Sequence, residues 1–424
     1  MSKDARKETV RQGLDPELLL RLMPTAALFT SLRELVMTAG ELALRAVLEE
    51  DRNVLCGPRY QHQEERQAHR SGHTKGSLVL GGRKVMVQRP RAHTEGGKEL
   101  ELPSWKQFRA EDPLVERATE QMLVGVSTRK YVRSLEAVPQ ELDSHSTSRS
   151  AVSRRFVQAT EAQLAEWFGR DLKELDLVAM MIDGIHVDEH VILVALGIDS
   201  TGAKHVLGFW EGATESATAC KAMLADLCSR GLRTDRTMLL VIDGSPALAA
   251  AIRAVFGKRA LIQRCQAHKL RNVADHLPER KRASVKKAMQ DAYRMTDVTK
   301  ATRVLTNLAR SLQRAHPGAA ASLREGLDET LTVRAMRLGT NLERTLVTTN
   351  PIENLNGIIR HVTKRVRRWQ SGEMVLRWVG ASLNEASKGF RRLKGHSDMK
   401  LLLRALKAHD VLFNGGLDKS RKAA

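Results

Sequence analysis

The sequence predicts a mixed α/β core, interrupted by an all-helical insertion and preceded by a basic region of helices and a hairpin. Three observations carry this. Two apolar runs, Leu177–Val187 (LVAMMIDGIHV) and Met238–Gly244 (MLLVIDG), read as buried strands, and each breaks on Asp-Gly. Around them strand-like and helix-like segments follow in the order βββαβαβ. From His268 to about residue 335 the apolar residues then return to helical spacing.

At 424 residues the chain should hold more than one domain, at about 150 residues each. The expected segments are a basic helical and hairpin region at 1–112, a helix-turn-helix-like region at 113–170, the first part of the core at 171–268, the helical insertion at 269–345, the last core helices at 346–395 and a basic tail at 396–424. A formal net charge of +20 points to a polyanionic partner, most directly double-stranded DNA. The charge is concentrated: residues 57–92 carry eight Lys/Arg against two acids, and residues 357–409 carry thirteen against three. Aromatic residues make up only 4% of the chain, which argues against a platform that stacks single-stranded bases. No apolar run approaches the ~18 residues of a membrane span and no signal peptide opens the chain, so a cytoplasmic, nucleoid-associated protein without a membrane partner is expected. Four scattered cysteines (Cys56, Cys220, Cys228, Cys265) make no disulfide framework and are expected reduced.

From Pro16 to Arg52, Leu18, Leu19, Leu22, Leu32, Leu35 and Val36 recur at helical spacing, predicting two or three helices. SLVL (77–80), Gly81-Gly82 and KVMVQ (84–88) form a short hairpin, with Lys84 and Arg89 as candidate DNA contacts. Cys56, His62, His69 and His73 match no zinc spacing. Within 113–160, a helix capped by Ser127 or Thr128 and a second capped by Ser148 or Ser150 have a helix-turn-helix character. The second would carry Arg149, Arg154 and Arg155 where a recognition helix meets the groove; an ordinary helical hairpin with a solvated basic face fits equally.

Three strands with short links (177–187, 190–199 and 204–212) must be antiparallel neighbours. A helix from Thr214–Ser216 to Arg230-Gly231, the strand at 238, a helix from Pro246 to Phe256 and a strand at 259–265 complete a mixed sheet. A buried strand has no use for a terminal carboxylate unless something there needs negative charge. One Asp-Gly alone serves as the start of a turn. Asp183 and Asp243 on adjacent strands would repel and persist as dianions only around cations, which suggests a divalent-metal site. His186, Asp188, Glu189 and Asp199 rank lower because they fall on turns or past the strand end.

At 346–354 the chain reads LVTTNPIEN, with Thr349 or Asn350 as N-cap and Pro351 in the first turn. At ~100° per residue, Arg360 and Lys364 return to within about 20° of Glu353, with Arg367 and Arg368 close behind. One face would then carry an acid followed by a basic stripe suited to a phosphodiester backbone; a solvated helix is the plain alternative. Cys265 and His268 form a C-x-x-H read as structural support or DNA contact near the site. Trp210 ends the third strand beside the expected site and reads as core, with base stacking as the alternative.

The motif series IDG, IDG, QRCxxHKxRN, TTNPIEN and RW, spread over Leu177–Gly395, is similar to Mutator-type transposases of bacterial insertion sequences. More broadly the element order resembles the ribonuclease H-like fold of DDE transposases. The resemblance implies that Asp183, Asp243 and Glu353 are the catalytic and metal-binding triad, and that the helical insertion belongs to the architecture. It also implies two Mg²⁺ or Mn²⁺ ions, cleavage and joining of DNA 3′ ends at terminal inverted repeats, and at least a dimer to pair two ends. A stand-alone nuclease and a catalytically silent DNA-binding regulator are alternatives on the same fold. A carbohydrate hydrolase is conceivable from the Asp pair alone, but the charge and scarce aromatics oppose it.

Overall fold

The computed structural model of the chain describes residues 32–61, 66–80, 83–110, 115–126, 130–131, 144–146, 148–212 and 217–421. It divides into two units, Met1–Ala159 and Thr160–Ala424. Leu18, Leu19, Leu22 and His62 lie outside the described residues.

In the first unit the helix α1 (Leu32–Cys56) packs on an antiparallel hairpin of β1 (His69–Leu80) and β2 (Arg83–His93). Leu48, Leu78, Val85, Val87, Leu102 and Trp105 form the core between them. The Trp105 ring lies directly against Gly76, where any Cβ would strike it. The hairpin is much longer than the sequence suggests, because His69–Gly76 alternates polar and basic residues and presents no apolar run. Two further short strands, β3 (Glu99–Leu100) and β4 (Ser144–Ser146), both pair with β2. Between them come the helices α2 (Pro103–Ala110) and α3 (Val115–Val124).

The segment bearing β4 was expected to be the linker of a helix-turn-helix; it instead adds a strand to the hairpin sheet, Lys84 pairing with His145. The helix expected at Ser127 or Thr128 lies outside the described residues apart from Lys130 and Tyr131. The helix after it, α4 (Arg149–Gly169), starts as expected: the Ala151 N–H donates to Ser148 Oγ at 3.2 Å.

The second unit is built on five strands, β5 (Leu177–Val187), β6 (His190–Asp199), β7 (Lys204–Gly212), β8 (Met238–Ile242) and β9 (Ala260–Arg264), in the order β7-β6-β5-β8-β9. The first three are antiparallel and β5, β8 and β9 are parallel, so the mixed sheet expected from the sequence is present. A two-residue turn joins β5 to β6 and puts Asp188 at φ 56°, a left-handed conformation that Asp tolerates better than most residues.

Side chains alternate between the two faces of β5. Leu177, Met180 and Ile182 point toward α5 (Ala217–Ser229) and α6 (Pro246–Phe256), which carry Leu224 and Ile252 into that core. Ala179, Met181, Ile185 and Val187 point the other way. The insertion, with its own core, is α7 (Gln266–Asp275), α8 (Glu279–Arg294), α9 (Val298–Leu312) and α10 (Pro317–Arg324). The short α11 (Thr332–Ala335) and α12 (Thr340–Leu346) instead send Val333, Leu342 and Leu346 into the core on the second face of β5. The second face of β5 is covered by α13 (Asn350–Thr363), α14 (Gly372–Lys388) and α15 (Met399–Arg421).

The stretch from 396, read from sequence as a basic tail, is mostly α15. Leu402 and Leu406 enter the core and Asp410 accepts hydrogen bonds from Thr237 N (2.8 Å) and Oγ1 (2.6 Å). The cations on its exposed side masked its apolar stripe. Among the described residues no helix is long and apolar enough to cross a membrane.

Candidate active site

The register of the parallel strands sets the site. Ile182 on β5 faces Ile242 on β8, and Ile242 faces Arg264 on β9. The next residues, Asp183, Asp243 and Cys265, therefore form a row across three strands spaced about 4.8 Å apart. The ladder continues through this row on one side, where the Cys265 N–H donates to the Ile242 carbonyl at 2.8 Å.

Backbone N–H groups next in the chain orient the two aspartates, in a turn at Asp243 but within the strand at Asp183. Asp243 Oδ1 accepts from the Ser245 N–H at 3.0 Å, and Ser245 caps α6 with Pro246 in its first turn. The turn reading and the site reading of this Asp-Gly hold together. Asp183 Oδ1 accepts from the Gly184 N–H at 3.1 Å.

The third acid comes from α13, whose Ile352, Leu355 and Ile359 bury against the same face of β5 as Asp183. Thr349 is the N-cap residue, but its hydroxyl makes no cap bond. It donates to Glu353 Oε1 at 2.6 Å and lies 3.3 Å from both His268 Nδ1 and Cys265 Sγ. A hydroxyl has one proton, so with that proton on Glu353 it accepts from the imidazole or the thiol. His268 Nδ1 is 3.6 Å from Glu353 Oε1. One turn on, Asn356 Nδ2 donates to Asp183 Oδ2 at 2.8 Å, while its Oδ1 is buried without a partner. Asn356 and Thr349 were not expected from the sequence. The available signal was spacing: three and four residues from Glu353 share its helical face.

Electrostatics couple these groups. Burial, then the negative charges of Asp243 and Glu353, push the Asp183 carboxyl up to about 6, with His268 opposing. His268 is raised mainly by its hydrogen bond to Cys265, against burial, with Glu353 and Asp243 adding. Burial would raise the Cys265 thiol, but bonds to His268 and Thr349 outweigh it and the net direction is down.

Cys265, His268 and Glu353 offer ligand atoms all within 4.8 Å of one another, the only such group among the described residues. Sulfur and imidazole suit a softer metal such as zinc, whereas the three carboxylates suit Mg²⁺ or Mn²⁺. Thr349→Val removes the hydroxyl that ties the three together while keeping the branched shape. It is expected to cost about 1 kcal/mol, read from the urea midpoint; an unchanged midpoint would mean that the hydroxyl is not holding Glu353.

Trp210 is not at this site. Phe209 belongs to the core on the Asp183 face, and Trp210, the next residue, packs on the opposite face under Arg230, whose guanidinium lies 5.9 Å from the ring centroid. The expected basic stripe is also shorter than a continuous helix would make it. α13 ends at Thr363, so Arg360 lies on the helix, Lys364 caps it, and Arg367 and Arg368 follow in chain without regular secondary structure. All four are exposed.

The remaining candidates belong to the first unit. Lys84, Arg149 and Arg154 are exposed and Arg155 is half-buried. Arg89 is engaged, paired with Glu99 at 2.6 Å and lying over the Trp105 ring at 5.3 Å.

Residues 17–392 match the family model described as "Transposase, Mutator family". The chain is 30% identical over 375 residues to the transposase for insertion sequence element ISRM5 of Rhizobium meliloti, covering 87% of this chain and 90% of the relative. It is 28% identical over 334 residues to the transposase for IS256 in transposon Tn4001 of Staphylococcus aureus (76% and 82%). To the transposase for IS406 of Burkholderia multivorans it is 27% identical over 377 residues (85% and 94%).

Proposed function

The chain belongs to the Mutator family of transposases, and from that premise we propose that it cuts and joins DNA at the ends of an insertion sequence, with Asp183, Asp243 and Glu353 as its catalytic acids. The observation that carries the reading is the convergence of three acids from β5, β8 and α13, with Asp183 raised by the charge of the other two. Strand order β7-β6-β5-β8-β9 followed by a late acid-bearing helix supports a ribonuclease H-like core.

The donor types suit a hard divalent cation: three carboxylates near enough for the charges of Asp243 and Glu353 to act on Asp183 and, beside Asp183, a buried Asn356 Oδ1 that lacks a partner. Of the three acids only Glu353 belongs to a group whose ligand atoms already lie within 4.8 Å of one another. Mg²⁺ or Mn²⁺ bound there would activate the attacking oxygen and offset charge on the leaving one. The chain's own residues do the rest. Thr349 and His268 fix Glu353, Asn356 fixes Asp183, and Arg360 and Lys364 stand on the same stripe as Glu353 to take phosphates. Cys265 is buried and hydrogen-bonded, so it supports the site and does not serve as a nucleophile. Pairing two element ends calls for at least a dimer on double-stranded DNA, at the nucleoid.

The test uses the purified full-length chain, Mg²⁺ and DNA carrying the ends of its own element. Nicking at 3′ ends followed by joining is expected. Nicking without joining would leave a nuclease, and no reaction with either Mg²⁺ or Mn²⁺ would remove the reading. Arg360→Gln and Lys364→Gln should each weaken end binding and reduce the slope of log K against log salt by about 1. An unchanged slope excludes a phosphate contact at that residue.

A further inference from the structure

Next to the acids, α13 has a feature that packing does not explain. Gly357 sits inside the helix, where glycine destabilises relative to alanine. A Cβ built there meets nothing within 4 Å, so no neighbour demands its absence. Its place is on the stripe that begins with Glu353, one turn before Arg360 and two before Lys364. The bare backbone at Gly357 forms part of the wall of a cavity of about 610 Å³, which His186, Arg360, His361, Lys364 and Trp369 also line. That volume lies within the range of small-ligand sites. Asp188 is the one acid in the lining, and neither Arg360 nor Lys364 has an ion-pair partner among the described residues.

A half-buried indole, one side of it packed on the core, two cations without an ion-pair partner among the described residues and exposed helix backbone suit a nucleotide, with an anionic phosphate and a flat base. We propose that this cavity is a nucleotide subsite, in which the residue of the DNA strand next to the reacting phosphate seats over Gly357, its phosphate between Arg360 and Lys364 and its base against Trp369. The inference rests on the reading of Asp183, Asp243 and Glu353 as the reacting centre, since the notch lies one turn from Glu353. The glycine lets the strand come close to the helix beside the acids, and the aromatic holds a base of any sequence, because every base offers a π-face.

The test titrates the full-length protein in EDTA with 5′-dAMP, 2-deoxyribose 5-phosphate and inorganic phosphate, read by saturation-transfer NMR. Wild type should bind dAMP about tenfold more tightly than the sugar phosphate, the increment of a stacked base, with phosphate weakest. Gly357→Leu fills the cavity and should weaken dAMP binding by about tenfold or more, with a melting temperature equal to or above wild type because the helix gains propensity. Trp369→Ala should abolish the preference for dAMP over the sugar phosphate. Equal binding of all three probes by wild type, or wild-type affinity in Gly357→Leu, overturns the proposal. Should Gly357→Leu lose its fold, the doubly substituted Arg360→Gln, Lys364→Gln protein, altered only at exposed positions, decides by the same criterion. Loss of DNA nicking in wild type with dAMP binding retained would count against the transposase reading and leave the subsite standing.

Discussion

Asp183→Asn, Asp243→Asn and Glu353→Gln are each expected to reduce nicking and joining of element ends by on the order of 10³-fold or more, with end binding changed little. Each substitution keeps the shape of the side chain and removes one negative charge. The three acids differ in their support. Asp243 is oriented by its own turn through Ser245, Asp183 by Asn356, and Glu353 by Thr349. The amide variants at Asp243 and Glu353 retain the acceptor that their bonds use. At Asp183 both oxygens accept, from Gly184 N–H and Asn356 Nδ2, so Asn keeps one of the two bonds there unless the Asn356 amide turns its unpartnered Oδ1 to the new NH2. Measuring single-turnover nicking beside filter binding of the same DNA separates the two effects. Near-normal nicking in any one variant removes that residue from the catalytic set.

The second large effect is on stability, and its sign is opposite to the effect on activity. The Asp183 carboxyl stands at about 6 against an ordinary value of 3.8, because burial and then Asp243 and Glu353 disfavour its charge. The folded state therefore holds that proton more tightly than the unfolded chain does. Below pH ~4 the group is protonated in both states and costs nothing. Between ~4 and ~6 the penalty grows as pH rises, and above about 6 it is complete. The gap corresponds to roughly 3 kcal/mol at full burial, and about 2 kcal/mol after allowing for residual solvent.

In EDTA at pH 7.5, Asp183→Asn should accordingly be about 2 kcal/mol more stable than wild type, with the difference vanishing near pH 4. Added Mg²⁺ should raise the wild-type melting temperature and close much of that gap, since a ligand bound only by the folded state stabilises it. A variant no more stable than wild type at neutral pH, or equally responsive to Mg²⁺, would show that Asp183 does not carry the repulsion.

Much of the second unit was legible in the chain. Leu177–Ile182 and Met238–Ile242 are uninterrupted apolar runs because both faces of their strands are covered, and that pattern survives any packing detail. The Pro351 helix start and the helical insertion were legible for similar local reasons. The first unit was less so. His69–Gly76 is strand because it pairs with β2, and β4 is strand because Arg83–Val85 offers it a free edge; neither segment has an apolar pattern of its own.

Local sequence by itself determined that an acid interrupts each apolar run, where the helices begin, and that the chain carries a large excess of positive charge. Asp243 does follow the end of β8, whereas β5 runs on through Asp183 to Val187, because β6 keeps pairing with it there. Tertiary structure alone decided which of those residues share a site. The neighbourhood of Asp183 and Asp243 depends on β5 and β8 lying side by side and parallel, and a shift of one residue in register would turn one carboxylate to the opposite face. That same parity removed Trp210 from the acids. Asn356, Thr349 and the notch at Gly357 acquire meaning only once α13 is laid against β5, because a hydrogen bond between residues 173 positions apart leaves no trace in the local sequence pattern.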